Sequence, residues 1–263
     1  MKIANLYDQL DGLKIMEKRH KKLWKELQAA IAQIDANQFT KSSKEKNRNR
    51  LTLYNQRAIN EAFRDILKDK GWKVSKKTYY YVTGDIATAR EIASLRNKEE
   101  QKKRIKSTGL TAYATSNEVD FIKGRVAVEV QFGKYFSVAY DIFVKHTFSY
   151  LRGDIDVGIE IIPTKAMSEK MDSGVPWFEN EAANMIRIDE ILRKKRKEEI
   201  KKKIKKFKSE VKKLEKKPKK NKKKIERRKE KIKKLKNEIK KFTTKYPPAP
   251  IIMIGIEPDE IQI

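Results

Sequence analysis

The spacing of apolar residues changes repeatedly along the chain and predicts helices interleaved with strands. Residues 10–34 carry apolar side chains at helical spacing and predict a long amphipathic helix, and residues 57–70 predict a second helix that ends at Gly71. The remaining predicted elements, in order, are a strand over 73–83, helices over 85–106 and 138–150, and strands over 156–163 and 251–256. This succession predicts an α/β sandwich built around a mixed sheet.

Residues 117–132, with the sequence NEVDFIKGRVAVEVQF, predict two strands joined by a tight turn. Alternation along the second strand puts Glu129 and Gln131 on one face and apolar residues on the other. Asp120 on the first strand can bring its carboxylate to the same side, and two hard oxygen ligands on paired strands suit Mg²⁺. Spacing alone favours an ordinary solvated sheet face, because Asp-x8-Glu-x-Gln is a loose pattern.

A Lys-rich segment from 189 to 245 holds most of the formal net charge of +28. It contains 30 Lys and Arg against 9 Asp and Glu, a net charge of +21. Apolar residues at spacings of three and four continue on both sides of Pro218, which predicts an antiparallel coiled-coil hairpin rather than a disordered linker. Because an apolar strand follows at 251–256, the hairpin is predicted to be inserted into a core of residues 1–188 and 246–263.

Composition narrows the classes of function. The 263 residues include no cysteine, which excludes disulfides and thiolate metal sites and fits a reducing cytoplasm. Uncharged runs of at most 11 residues are too short to span a bilayer. Two histidines cannot build a His-rich nuclease centre, and the sequence has no G-x-x-x-x-G-K-[ST] loop for ATP. The large positive charge implies a polyanionic partner, of which nucleic acid is the commonest.

Four segments in order, VDFIKGRVAVEVQFGKY, DIFVKH, DVGIEII and MIGIEP, resemble the BglII/BstYI family of type II restriction endonucleases, within the PD-(D/E)xK nuclease superfamily. The resemblance covers about residues 60–258, with the Lys-rich segment intervening. It implies a restriction-endonuclease-like sandwich and Mg²⁺-dependent, sequence-specific hydrolysis of double-stranded DNA. It also implies a palindromic site, a GATC core as a weak expectation, a homodimer, and a cognate DNA methyltransferase in the same system.

Carried over residue by residue, the resemblance implies that Asp120 and Glu129 bind the metal, with the main-chain carbonyl of Val130 as a third ligand. Gln131 takes the place of the lysine that most of the superfamily carries in its signature. Since an ammonium is missing at that position, water activation is left to the metal, and Gln131 is expected to orient the water by hydrogen bonding. The expected catalytic residues are therefore Asp120, Glu129 and Gln131.

DNA contacts are expected at two places that enter the major groove in the resembling family. One is Lys134, at the end of the hairpin strand. The other is the loop of residues 165–177, where Asp172 and Ser173 are expected to read bases and Lys170 to bind phosphate. The Lys-rich hairpin has two open roles, a clamp on flanking DNA or an extension of the dimer interface, and its charge favours DNA.

Several alternatives stay open at the level of sequence. Asn60 or Glu61 would add a polar ligand to the site, although a plain surface helix fits these residues equally well. His146 and Tyr150 are expected to pack or to meet a second subunit rather than to catalyse. A repair or junction-resolving nuclease of the same superfamily is an alternative function, as is a non-catalytic basic coiled-coil protein that binds nucleic acid.

Overall fold

The computed structural model describes residues 1–44, 46–82, 88, 91–92, 94–95, 97–133, 137–241 and 249–259. Its strands are β1 (Lys2–Gln9), β2 (Thr40–Ser42), β3 (Thr52–Tyr54), β4 (Lys73–Tyr81), β5 (Tyr113–Lys123), β6 (Val126–Val130), β7 (Val157–Pro163) and β8 (Ile251–Glu257). Six of them form one sheet in the order β1-β8-β7-β6-β5-β4, while β2 and β3 pair separately. Strands β6, β7 and β8 are parallel and the outer pairs are antiparallel. The prediction of an α/β fold around a mixed sheet is confirmed.

The helices are α1 (Gly12–Arg19), α2 (Lys21–Gln33), α3 (Gln56–Asp69), α4 (Lys98–Ser107), α5 (Ser137–Tyr140), α6 (Thr147–Leu151), α7 (Lys165–Ser168), α8 (Phe178–Leu214) and α9 (Pro218–Lys241). A π-helical segment, Asp141–His146, connects α5 to α6 without a break, and the three together are called the 137–151 helix. Within the described ranges, no helix combines the length and apolarity needed to cross a lipid bilayer.

The single helix predicted over residues 10–34 is wrong in its details, because the chain breaks twice. Leu10 and Asp11 adopt left-handed backbone conformations with φ of 55° and 60°, which ends β1 and starts α1. A second break falls at His20, between α1 and α2, where the imidazole Nε2 lies 3.0 Å from Asp156 Oδ2. The second break is accompanied by a contact with a residue far away in the sequence, which helical spacing alone does not reveal.

The two faces of the sheet have different partners. On one face, Val128 of β6 packs with Leu27 of α2 and Phe63 of α3 in the main apolar core. Alternation turns Glu129 to the opposite face, where it meets Lys145 of the 137–151 helix. The sheet is therefore covered on both sides, and the polar residues of β6 are enclosed under a helix.

The predicted tight turn between β5 and β6 is formed by Gly124 and Arg125. Gly124 and Arg125 both have positive φ, 51° and 70°, and Lys123 pairs with Val126, which defines a two-residue type I′ turn. The guanidinium of Arg125 secures this turn through a 2.7 Å contact from Nη2 to Asp156 Oδ1. Asp156 thereby fixes the position of the turn immediately before β7 begins.

The long helices α8 and α9 form most of a second compact unit, Ala183–Tyr246, while Met1–Ala182 and Pro247–Ile263 form the first. Ion pairs link the two helices in antiparallel order: Arg196 with Glu238 at 2.8 Å, Glu210 with Arg228 at 2.7 Å, and Glu215 with Lys229 at 2.9 Å. Apolar side chains at Ile200, Val211 and Ile225 are buried in this unit. The helix α8 begins well before residue 189, the boundary suggested by charge.

Candidate active site

Glu129 and Asp120 occupy adjacent strands and face each other across the hairpin. The pairing of Phe121 with Val128 continues by one step to place Asp120 opposite Glu129. Glu129 is fully buried at 0 % exposure, and the negative charge of Asp120 is one of the causes that raise its pKa. The strands therefore bring together the two carboxylates expected to bind metal, although one is enclosed and the other half-buried.

An ammonium group lies directly beside this acid pair. Lys145 Nζ is 3.2 Å from Glu129 Oε1 and 2.7 Å from Asp141 Oδ1. The other carboxylate oxygen of Asp141 accepts a hydrogen bond from Gln131 Nε2. A continuous chain of contacts thus runs from Glu129 through Lys145 and Asp141 to Gln131. Lys145 and Asp141, which sequence analysis missed, therefore join two of the three expected catalytic residues.

Burial and mutual repulsion govern the proton affinities in this cluster. Burial, followed by repulsion from Asp120 and Asp141, raises the pKa of Glu129 to about 9 against the opposing effect of Lys145. Burial also raises the pKa of Asp141 to about 6, although its hydrogen bond with Lys145 works in the other direction. For Lys145 itself, burial would lower the pKa, but attraction to Glu129 and Asp141 outweighs it and holds the pKa above its usual range.

A second buried pair lies on the neighbouring strand. Glu160 of β7 is in register with Glu129 of β6, and its Oε1 lies 2.8 Å from His146 Nε2. Both side chains have no exposed surface, and burial raises the pKa of Glu160 well above its ordinary value while it lowers that of His146 to about 3. The sequence carries a signal for these buried acids, because VAVEV and VGIEII each contain one acid inside an apolar strand.

The donor set fits a hard divalent cation. The carboxylates of Asp120 and Glu129 are oxygen donors of the kind Mg²⁺ accepts. Burial, which raises the pKa of Glu129, makes its charged form costly, and a bound cation would offset that cost. Val130 is the last residue of β6 and pairs with Ile161 of β7. Its main-chain carbonyl directly follows Glu129 along the strand. Among the residues that the structure describes, no group of three His, Asp or Glu side chains is arranged to hold a metal alone. Water and substrate oxygens would therefore complete the coordination.

The residues expected to contact DNA are distributed over two places. Lys134 lies outside the described residues, next to Gly133 at the end of the hairpin strand. Lys170 is exposed in the loop after α7, and its carbonyl accepts a hydrogen bond from Tyr54 N at 2.8 Å. The side chain of Lys170 is therefore at the surface, while its main chain is hydrogen-bonded to β3.

Asp172 and Ser173 make internal contacts in the same loop. Asp172 Oδ1 accepts a hydrogen bond from Gln56 N at 3.1 Å at the start of α3, and its Oδ2 pairs with Lys41 at 2.5 Å. Ser173 donates its hydroxyl hydrogen to the side-chain oxygen of Gln56. The structure thus places Gln56, the first residue of α3 and a residue that sequence analysis did not select, in contact with both residues expected to read bases.

The remaining candidates lie on α3 and on the 137–151 helix. Glu61 is exposed and pairs with Arg57 at 2.9 Å along α3, and Asn60 is half-buried on the same helix. Tyr150 packs beside the small apolar cluster that contains Val119, Ala127 and Ile155. The packing role expected for Tyr150 agrees with this position.

Comparison with known proteins identifies relatives of this arrangement. A family model described as "Restriction endonuclease BglII/BglIII" matches residues 4–193. The crystal structure of restriction endonuclease BglII complexed with a DNA 16-mer is 16 % identical over 98 % of this chain and 79 % of that one, with a TM-score of 0.47. The crystal structure of free BglII is 15 % identical over 98 % and 81 % of the two chains, with a TM-score of 0.43. No curated protein matches the chain.

Proposed function

The chain belongs to the restriction endonuclease BglII/BglIII family and is therefore a type II site-specific endonuclease, and we propose that it cleaves double-stranded DNA with Mg²⁺ held by Asp120 and Glu129. Members of this family are metal-dependent nucleases that cut DNA at specific sequences. The observation that carries the proposal is the acid pair itself, a fully buried Glu129 opposite Asp120 on the neighbouring strand. Buried acids with strongly raised pKa values concentrate at functional sites.

Each residue of the cluster has a distinct part in this hydrolysis. Asp120, Glu129 and the Val130 carbonyl would hold the cation, which supplies positive charge that polarises the phosphate and activates water. Gln131 orients the attacking water through its amide, and Asp141 restricts that amide by accepting a hydrogen bond from Nε2. The water oxygen bonds to phosphorus opposite the departing oxygen, so the P–O bond that breaks lies in line with the one that forms.

DNA recognition is assigned to Lys134 and to the loop of residues 165–177. We propose that Lys134 and Ser173 read bases, that Lys170 binds phosphate, and that Asp172 contributes to base reading as well as to the structure of its loop. A palindromic site, with a GATC core as one candidate, requires two copies of the active site. The protein would act in the cytoplasm on DNA whose sites are unmodified, while a cognate methyltransferase protects the same sites elsewhere.

A homodimer would supply the two active sites. Tyr140 and Leu151, near the two ends of the 137–151 helix, are 49 % and 55 % exposed, which is unusual for large apolar side chains. This exposure supports a twofold contact along the helix. His146 is fully buried against Glu160 and takes no part in such a contact.

We also propose that residues 189–245 are a coiled-coil insertion in a nuclease core of residues 1–188 and 246–263. Support comes from the buried apolar side chains between α8 and α9 and from their antiparallel ion pairs. The net charge of +21 favours contact with phosphates of DNA outside the recognition sequence.

Digestion of a sequenced plasmid by the purified protein, with and without Mg²⁺, tests the main proposal. The expected result is a fixed set of fragments whose ends share one sequence, and no cleavage by Glu129→Ala or Asp120→Asn. Glu17→Ala and Asp65→Asn, at exposed acids outside the cluster, are the matched controls and should cut normally. Cleavage at branched structures without fixed ends would favour the junction-resolving alternative, and wild-type cleavage by Glu129→Ala would refute the proposed site.

A further inference from the structure

The strand that carries Glu129, β6, has no cation of its own. Gln131 stands where most of the superfamily has lysine, so β6 contributes only neutral and acidic groups to the site. In the structure, however, the ammonium of Lys145 lies within 3.2 Å of Glu129 Oε1. A positive charge is therefore present beside the acid pair, and it belongs to the 137–151 helix and not to β6.

The backbone of the 137–151 helix is built to hold that lysine in place. Lys145 lies in the π-helical segment, whose wider turn lets Asp141, Ile142 and His146 all be buried against the sheet. Asn117 of β5 donates a hydrogen bond to the Lys145 carbonyl at 3.3 Å, which ties the helix to the strand that carries Asp120. Such π-helical segments are frequent at functional sites.

The charge arrangement is difficult to explain by stability alone. Glu129 and Asp141 are almost completely enclosed, and replacing buried ionic networks by apolar residues is often neutral or stabilising. The side chain of Lys145 keeps 18 % of its surface exposed, whereas those of Glu129 and Asp141 are 0 % and 1 % exposed. Of these three side chains, Lys145 is therefore the one with surface left for a phosphate to contact.

We propose that Lys145 supplies, from the helix, the ammonium that Gln131 cannot provide, and that it neutralises charge on the scissile phosphate during cleavage. Asp141 and Asn117 are positioning residues, because they act by fixing Lys145. No proton passes through Lys145, which contributes charge only. This inference rests on the nuclease function proposed above and names one more residue of the same site.

Lys145→Met and Lys145→Arg test it by separating binding from cleavage. The methionine variant should bind target DNA in Ca²⁺ as tightly as the wild type, yet cleave it about 100-fold more slowly in single turnover with Mg²⁺. The arginine variant should recover part of the rate because it restores the charge. Lys123→Met is the matched control: Lys123 is also a partly buried lysine, paired with Glu26 at 2.7 Å, and its loss should lower stability but not the rate.

A second measurement controls for unfolding caused by the buried acids that Lys145→Met leaves unpaired. Asp141→Asn combined with Lys145→Met removes a positive and a negative charge together, and this folded double variant should also cleave slowly. Calorimetric titration with Ca²⁺ alone should show tighter metal binding by Lys145→Met, since the ammonium no longer competes for Glu129. A lysine with a structural role only would change the melting temperature and leave this affinity as it was.

The outcomes separate this inference from the function it rests on. Cleavage by Lys145→Met at the wild-type rate, while Glu129→Ala is inactive, would overturn the role of Lys145 and leave the nuclease site intact. Failure of the wild-type protein to cut any DNA would overturn the proposed function itself. Slow cleavage by both Lys145→Met and the double variant, with normal DNA binding, supports the inference.

Discussion

The imidazole of His146 lies against the backbone of Gly158, so closely that a Cβ added to the glycine would come within 2.7 Å of ring atoms Cδ2 and Nδ1. The same ring reaches Glu160, two residues further along the strand, with 2.8 Å between Nε2 and Oε1. Helix and strand are therefore in direct contact one residue away from Lys145. Only glycine leaves room for the ring at position 158.

Gly158→Ala should destabilise the protein by about 1–3 kcal/mol, because the methyl group forces the buried ring and its helix outward. Urea unfolding followed by circular dichroism measures the change. In a His146→Ala background the same substitution should cost much less, and equal costs in the two backgrounds would show that the two residues do not interact.

Glu129→Gln should stabilise the protein while it removes cleavage, and the gain should grow with pH. Folding raises the pKa of Glu129 from 4.5 to about 9, so the folded state keeps a proton that the unfolded state has lost. Between these two pKa values, each pH unit lowers the free energy of unfolding of the wild type by up to about 1.4 kcal/mol. The full stability is present only below the unfolded-state pKa of 4.5. Thermal melting of both proteins from pH 5 to pH 9 measures the difference.

Glu118→Gln is the control for that experiment. Glu118 lies on the same strand as Asp120, but its side chain is 53 % exposed beside Lys76. Its substitution should leave the pH dependence of melting unchanged. A pH-independent difference between wild type and Glu129→Gln would mean that Glu129 ionises normally in the folded protein.

Asp172→Ala should lower stability by about 1–3 kcal/mol, since it leaves Gln56 N at the start of α3 without its acceptor and Lys41 without its ion pair. Chemical unfolding measures this cost. Sequencing of the cut ends tests the separate expectation that Asp172 reads a base. An unchanged stability together with altered ends would assign Asp172 to recognition alone.

Deleting residues 191–244 and joining the ends with a short Gly linker should make DNA binding less sensitive to salt. Each phosphate that the Lys-rich helices neutralise contributes about −0.9 to the slope of log K against log salt concentration. Fluorescence anisotropy over a salt range of roughly 50 to 200 mM measures the change in that slope. An unaltered slope with a loss of dimer in sedimentation would assign the hairpin to subunit association.

Alternation and motif are sufficient to predict the strand pair that carries Asp120 and Glu129. The period of two along β6 fixes which side chains share a face, and the order of the quoted segments fixes the family, which the family model confirms. The buried strands β7 and β8 are also predictable, because a short continuous apolar run between turn residues is typical of a strand covered on both faces. Local signals of this kind depend only on neighbouring residues.

Lys145 and Asp141 escape sequence analysis because nothing local distinguishes them from a surface pair on an ordinary helix. The segment DIFVKH belongs to the family pattern, but the π-helical geometry that turns both residues inward has no signature in residue order. The strand β1 escapes for a related reason. It pairs with β8 at the far end of the chain, and its own burial pattern is mostly exposed.

Asp156 has a consequence for how the active site meets its substrate. Its carboxylate contacts Arg125 in the β5–β6 turn and His20 between α1 and α2, so the far end of the strand pair is anchored to two other parts of the fold. Because that end is held in place, the separation of Asp120 and Glu129 is set before DNA binds. Binding therefore requires little further ordering of the site.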